Sequence, residues 1–316
     1  MKVTEDPAIE LYSSTDETII RTQLTLMKQS GIGCIAFSYW GNQNVITVTA
    51  LGKLFQVLNS PDNPHPEIKI SIYYEDQVNR PLSTIVAEVQ NIISNYGSSQ
   101  YFLKINNKPV FWVYGNGTLS LVQKWNTIRT NKNIYVIQKE FGSTWKSYLN
   151  LADSWHQYAP ASRYVITQAG TTKYSSGVSA GFWRYHACSR LTRPDTTGDY
   201  SPFENALIQM KNDGTQFHIL FWNEWQENSG IEPATLFDHI EGGTGIFPQI
   251  GTPYGTKYID LIGKYFGSIL VEKKFDVYDI LSDTNTKEGV IVLRKDLGKF
   301  TKDQACTDVC AKLDQI

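Results

Sequence analysis

A parallel α/β barrel of the (β/α)₈ TIM type is the fold this sequence predicts, and three observations predict it. Short β-rich runs alternate with amphipathic helical runs through the first half of the chain. The strand candidates are nearly continuous in apolar residues, as strands covered on both faces must be. The chain has 316 residues, enough to bury the core of one large barrel. Seven strand candidates can be counted where a closed barrel needs eight, so either residues 1–11 supply an irregular first strand or the chain lacks one.

The elements follow in order. Ser14 opens an S-x-x-E capping box with Glu17, and Ile20, Leu24 and Met27 then share one helical face until Ser30 and Gly31 stop the helix. Residues 33–39 (GCIAFSY) and 68–74 (IKISIYY) are strands. A helix capped by Ser83 carries Ile85, Val86, Val89, Ile92, Ile93 and Tyr96 at 3.6-residue spacing up to Gly97. Residues 110–114 (VFWVY) and 134–138 (IYVIQ) are strands flanking a helix over 119–129. The later candidates are 152–158, a segment near 164–168 or 178–183, and 217–223 (FHILFWN). A helix opened by Ser201 and Pro202 precedes the last of these, with Phe203, Leu207 and Met210 inward and Gly214 at its end. After a Gly- and Pro-containing stretch, Tyr258, Leu261, Ile262, Tyr265 and Phe266 form one helical stripe. The catalytic barrel is expected over residues 1–267, and residues 268–316, with an apolar run at 290–293, form a small C-terminal αβ appendage.

Composition narrows the partner. Charged residues make up 19% and the formal net charge is -2, so no electrostatic footprint for nucleic acid or an anionic membrane exists. The 8 Trp and 18 Tyr suit stacking on the apolar faces of sugars, although core packing also absorbs aromatic rings. Cys34, Cys188, Cys306 and Cys310 include no C-x-x-C pair and are expected to be plain thiols. No run approaches the ~20 apolar residues of a membrane span. Residues 1–10 are mixed and polar, unlike a secretory leader, and the compartment stays open: cell surface or exterior if the chain starts upstream of Met1, cytoplasm otherwise.

The most informative segment is FHILFWNEWQENSGIEP, residues 217–233. An apolar strand runs straight into Asn223, Glu224, Trp225, Gln226 and Glu227, which puts two carboxylates three residues apart at a strand's C-terminal end, the catalytic face of a barrel. A lone E-x-x-E is more often a pair of surface acids at a helix N-terminus. Here the preceding strand and the flanking Trp favour the paired acid and base of glycoside cleavage, one carboxyl kept protonated for the leaving oxygen and the other ionised. A rival pattern, G-x-S-x-G over residues 177–181, would make Ser179 an esterase nucleophile, yet no amphipathic helix follows it, and Asp238 and His239 would have to serve while adjacent. His65, His156, His186, His218 and His239 lack metal-ligand spacing, and Gly242, Gly243 and Gly245 follow no strand, so neither metal nor cofactor is expected.

At these residues the sequence resembles glycoside hydrolase family 99, the endo-α-mannosidases and endo-α-mannanases, and their barrel relatives. The family's N-E-W-H-E-G-x-x-I-E-P is matched by N-E-W-Q-E-N-S-G-I-E-P from Asn223 to Pro233. Residues 12–41, KISIYYED, KPVFWVYG, VSAGFW and the Arg193–Pro194 pair are similar to further family segments, over about residues 8–267. The resemblance implies a retaining, endo-acting hydrolase of α-mannosidic or related α-glycosidic bonds acting on an oligo- or polysaccharide. It makes Glu224 the base that deprotonates the substrate's own 2-hydroxyl to form a 1,2-anhydro sugar, and Glu227 the general acid and then base. It implies a cleft lined by Tyr39, Trp40, Glu75, Tyr114 and Arg193, with Phe182 and the motif residues Asn223, Trp225 and Glu232; apart from the resemblance, His156 beside Trp155 at a strand end is a candidate sugar contact, for which a satisfied structural histidine is an equal alternative. Gln226 and Asn228 replace the family's His and Gly, Phe182 stands for a Tyr and Gly115 for an Asp, and the family's aromatic first strand has no counterpart before Pro7. A non-catalytic carbohydrate-binding or polysaccharide-biosynthesis protein on a degenerate barrel is the alternative these departures keep open.

Overall fold

The computed structural model describes residues 6–7, 12–76, 80–139, 144–158, 163–165, 173–182, 191–224, 229–236, 255–267 and 290–294. In chain order they form β1 (Asp6–Pro7), α1 (Glu17–Gln29), β2 (Ile32–Tyr39), α2 (Val45–Leu58), β3 (Lys69–Glu75), α3 (Leu82–Tyr96), β4 (Lys104–Ile105), β5 (Lys108–Tyr114), α4 (Leu119–Lys132) and β6 (Tyr135–Lys139). There follow a 3₁₀ turn (Thr144–Tyr148), β7 (Ser154–His156), β8 (Tyr164–Val165), β9 (Tyr174–Val178), α5 (Pro194–Thr197), α6 (Ser201–Asn212), β10 (His218–Phe221), β11 (Ala234–Leu236), α7 (Lys257–Phe266) and β12 (Val290–Arg294).

Local chemistry sets the boundaries. Helix α1 begins where the Asp16 carboxylate accepts from the amides of Thr18 (2.8 Å) and Ile19 (3.2 Å). Asp16 rather than Ser14 is therefore the cap, because one charged acceptor satisfies two orphan amides while Glu17 turns outward to Arg21 at 2.8 Å. Gly31, at φ 77, ends the helix where a left-handed residue is needed. Helix α3 starts at Leu82 behind Pro81, which offers no side-chain cap, two residues before the cap expected at Ser83. Helix α2 occupies a segment to which the sequence reading assigns no element.

Strands β2, β3, β5, β6, β7, β9 and β10 pair in parallel, each with the next. β12 joins β10 to β2, with Leu293 opposite Phe221 on one side and Ala36 on the other, and an eight-stranded parallel barrel closes. The eighth strand thus comes from the apolar run expected in the C-terminal appendage. The remainder of residues 268–316 lies outside the described residues. β1 pairs with β11 in a separate antiparallel ribbon, so the irregular first strand sought in residues 1–11 is not in the barrel. β9 replaces both candidates offered for its place: its Ser175, Ser176 and Gly177 carry no apolar signal, and Val178 only ends it, while β8 pairs with it in antiparallel fashion.

Strand alternation divides the core into two layers. Cys34, Ala36, Tyr73, Val110, Trp112, Tyr135, Ile137, Ile219 and Phe221 pack together inside the barrel. Ile35, Phe37, Tyr39, Ile70, Ile72, Tyr74, Phe111 and Val113 face the helices with Leu24, Leu54, Val89 and Trp125. Trp112 is fully buried and its indole donates to Ser71 Oγ at 3.0 Å, so this large ring leaves no unpaired donor in the interior. Cys34 is a free thiol whose proton affinity burial pushes up to about 12, an inert core residue at neutral pH. Cys188, Cys306 and Cys310 lie outside the described residues.

Candidate active site at the barrel mouth

Because inner positions recur every second residue, the last inner residues of neighbouring strands are Ser38, Glu75, Tyr114, Lys139 and His156, all at the C-terminal edge of the parallel sheet. Ser38 Oγ donates to Glu75 Oε1 at 2.8 Å and accepts from the Trp40 indole at 3.1 Å. From the far side of the ring, Tyr158 donates its hydroxyl to Glu224 Oε2 at 3.2 Å. The Tyr158 ring meets Tyr114 edge-on at 5.0 Å, Phe221 edge-on at 5.1 Å and Tyr73 at 6.0 Å. Lys139 sets its ammonium 3.4 Å from the centre of the Tyr114 ring, a cation–π contact out of bulk water. Glu75 is 3% exposed and Glu224 5%, so both carboxylates sit in surroundings where each hydrogen bond counts for more than it would in solvent.

The loop that carries Trp40 is braced from outside the ring. Arg80 donates to the Trp40 carbonyl and pairs with Glu88 at 3.3 Å, while Glu88 accepts from the Asn42 amide at 2.9 Å and from the Tyr74 hydroxyl. Burial first, and then Glu88, raise the Tyr74 proton affinity above its ordinary value, so the phenol remains a donor. Gly41 has φ 93, and a Cβ there would lie 2.2 Å from Arg80 Nη1. Asp76, next to Glu75, is held by Lys124 at 2.8 Å and by the Trp125 indole at 3.0 Å.

Other expected cleft residues have different places. Tyr39 and Trp155 point away from the barrel interior. Tyr39 packs on Tyr74 in the sheet–helix layer, and Trp155 packs with Val122, Ala152 and Tyr174, since each is one residue out of phase with an inner neighbour. Arg193 is buried, donates to the Gly230 carbonyl at 2.9 Å and lies over the Tyr258 ring, which makes it a clamp on the returning chain. Glu232 is fully buried and accepts from Tyr12 (2.8 Å) and Gln23 (2.7 Å), while Asn223 donates to the same Tyr12 hydroxyl at 3.1 Å. Phe182 is buried and bridges to Leu191. Glu227 and Trp225 lie outside the described residues. The segment resumes at Ser229, whose amide donates to the Glu224 carbonyl at 3.3 Å, and Ile231 and Glu232 bond back to Trp222.

His156 is fully buried against the edges of Trp112 and Tyr73. Burial above all pushes its proton affinity down to about 3; the Gln157 backbone opposes this, and the Lys139 charge adds a smaller push in the direction of burial. Ser179 is also fully buried and donates to the Gly181 carbonyl at 2.6 Å, an arrangement that does not present a nucleophile. Among the described residues no group of three or more His, Cys, Asp or Glu is arranged to hold a metal, and no helix is long and apolar enough to cross a membrane. The sequence reading passes over Ser38, Lys139, Tyr158, Tyr12 and Gln23. Lys139 was legible as the continuation of the Tyr135, Ile137 alternation, and Tyr158 as the aromatic two residues past His156.

An eight-stranded parallel barrel with two buried carboxylates at its C-terminal mouth is the arrangement of a barrel enzyme's active site. The model of glycosyl hydrolase family 99 matches residues 3–150. Two structures of the endo-alpha-mannosidase of that family from Bacteroides thetaiotaomicron are similar in fold. One is 17% identical, covers 84% of this chain and 86% of that one, and has a TM-score of 0.61. The other, in complex with bis-tris-propane, is 17% identical, with 83% and 87% covered and a TM-score of 0.62. A glycoside hydrolase-like protein is 12% identical, with 85% and 91% covered and a TM-score of 0.62. Residues 3–150 thus resemble glycosyl hydrolase family 99 and the fold of the chain is that of its solved members, which supports a glycoside hydrolase with a carbohydrate substrate.

Proposed function

We propose that the protein is a retaining, endo-acting hydrolase of α-mannosidic or related α-glycosidic bonds in an oligo- or polysaccharide. The observation that carries this reading is the placement of Glu224 just beyond β10, buried and held by Tyr158, at the same barrel mouth as the Ser38–Glu75 pair. Glu224 acts as the base: it takes the proton of the substrate's 2-hydroxyl as that oxygen attacks the anomeric carbon, giving a 1,2-anhydro sugar with one inversion. Glu227 donates a proton to the departing oxygen. It then takes a proton from the water that opens the anhydro ring with a second inversion, while Glu224 returns its proton to the 2-oxygen, so the starting configuration and both carboxyl groups are restored. Trp40, steadied by Ser38 and by Arg80 on its carbonyl, offers a ring face for a sugar, and Glu75 accepts from sugar hydroxyls. The mannosidase name of the similar Bacteroides structures supports the choice of sugar.

The test is a panel of α-mannans and other α-linked polysaccharides, with the size and anomeric configuration of the first product read by NMR. Internal cleavage with retention on an α-mannoside is expected. Glu227→Gln should abolish cleavage of unactivated substrate while binding persists, and Glu224→Gln should be as severe even with a good leaving group, because no nucleophile forms. Wild-type hydrolysis by either variant removes that residue's role. Binding by the wild-type protein without turnover would return the case to a non-catalytic carbohydrate-binding barrel.

A further inference from the structure

We propose that Tyr158 is the positioning residue of the base: it fixes one oxygen of Glu224 and keeps the carboxylate ionised. The assignment rests on the reading of Glu224 as the base and adds a residue that its motif does not contain.

Tyr158 stands two residues beyond the end of β7 and is 6% exposed. Edge-on contacts from Tyr114 and Phe221, with Tyr73 on a third side, leave its ring little room to turn. Tyr114 is itself held under the Lys139 ammonium. The phenol therefore meets Glu224 as a preset donor, and its bond to Oε2 is made at no further cost in side-chain freedom. A hydrogen bond donated to a carboxylate favours the ionised form. Phe221 belongs to the strand that delivers Glu224, so the ring and the carboxylate are registered through one element.

The experiment is Tyr158→Phe in the full chain, which keeps the ring and removes only the donor. Two readouts are taken: the titration of Glu224 followed by carboxyl ¹³C NMR, with Glu224→Gln used to assign the signal, and the pH profile of kcat. The Glu224 titration should move up by about one pH unit or more, since a hydrogen bond to a charged group is lost from a buried site. The acidic limb of kcat should move up with it, and kcat at the optimum should fall about ten- to a hundredfold with KM changed less than about threefold. An unchanged Glu224 titration in a folded Tyr158→Phe protein overturns the proposal. If the titration moves but the wild-type protein cleaves no α-mannoside, the reading of substrate fails while the positioning role stands. Tyr158→Leu separates the two parts of the residue: it should shift the titration as far as Phe does and in addition lower the melting temperature, and a Leu variant that titrates like wild type also overturns the proposal.

Discussion

At the scale of single residues, the mouth of this barrel is governed by which side chains burial leaves charged. Burial pushes the proton affinity of His156 down to about 3, against about 6.5 for an ordinary imidazole, because the charged ring would lose its solvation. Between those limits the unfolded chain binds a proton that the folded chain refuses. The stability His156 contributes is therefore complete above about pH 6.5 and is lost as pH falls toward 3, by up to about 1.4 kcal/mol per pH unit. His156→Gln cannot take up that proton, so the gap in urea midpoint between wild type and variant should narrow on going from pH 7 to pH 4.5. A gap that stays constant would mean that the imidazole is already solvated or paired. The same scale shows where side chains were legible. Glu224 and Glu75 follow from a strand ending in an acid. Tyr39 and Trp155 do not, because a shift of one residue moves a side chain from the inner face to the outer, and an aromatic residue packs on either, as Tyr73 and Tyr74 of β3 and Phe111 and Trp112 of β5 do.

At the scale of elements, apolar runs with charged or glycine-bearing ends identify β2, β3, β5 and β6, since each is buried on both faces and reads as an unbroken patch. β9 shows the opposite: YSSGV is buried by its neighbours and held through the Ser176–Asp213 contact, so its place in the sheet comes from tertiary pairing that no window of five residues reveals. The β2–α2 connection depends on one backbone position. Gly41 combines φ 93 with a close approach of the Arg80 guanidinium, the group that holds the Trp40 carbonyl and pairs with Glu88. Gly41→Ala must strain the backbone and move Arg80, so it should cost about 1–3 kcal/mol and loosen Trp40. Gly33, in β2, has ordinary φ and no atom within 4 Å of a Cβ, and Gly33→Ala should change stability by less than about 1 kcal/mol. Denaturation of the two variants side by side, with Trp fluorescence as a second signal, checks the contrast. Equal stabilities would show that the loop is not braced through Arg80.

At the scale of the whole molecule, the ring is closed by a strand that follows every helix of the described barrel. Val290–Arg294 lies between β10 and β2, with Ile291 opposite Ile219 and Cys34, and Val292 opposite Leu220 and Ile35. An apolar run at 290–293 is visible in the sequence, but its partners lie some two hundred and fifty residues earlier for β2, and local periodicity carries no information about such pairing. A parallel barrel without this strand would expose two edges, β10 and β2, and β10 is the strand that delivers Glu224 to the mouth. Stability and the site are thus joined through one element. Val292→Pro removes a backbone donor from a strand paired on both sides and should cost about 3 kcal/mol or more, seen as a lower urea midpoint with a reduced slope if the barrel opens partly. Removal of residues 268–316 should go further, exposing the edges of β2 and β10 to hydrogen exchange while α1 through β6, paired among themselves, stay protected. If Val292→Pro leaves the midpoint unchanged, or the shortened chain keeps β10 amides protected, then β10 and β2 are joined in some other way and Glu224 does not depend on the C-terminal strand for its place.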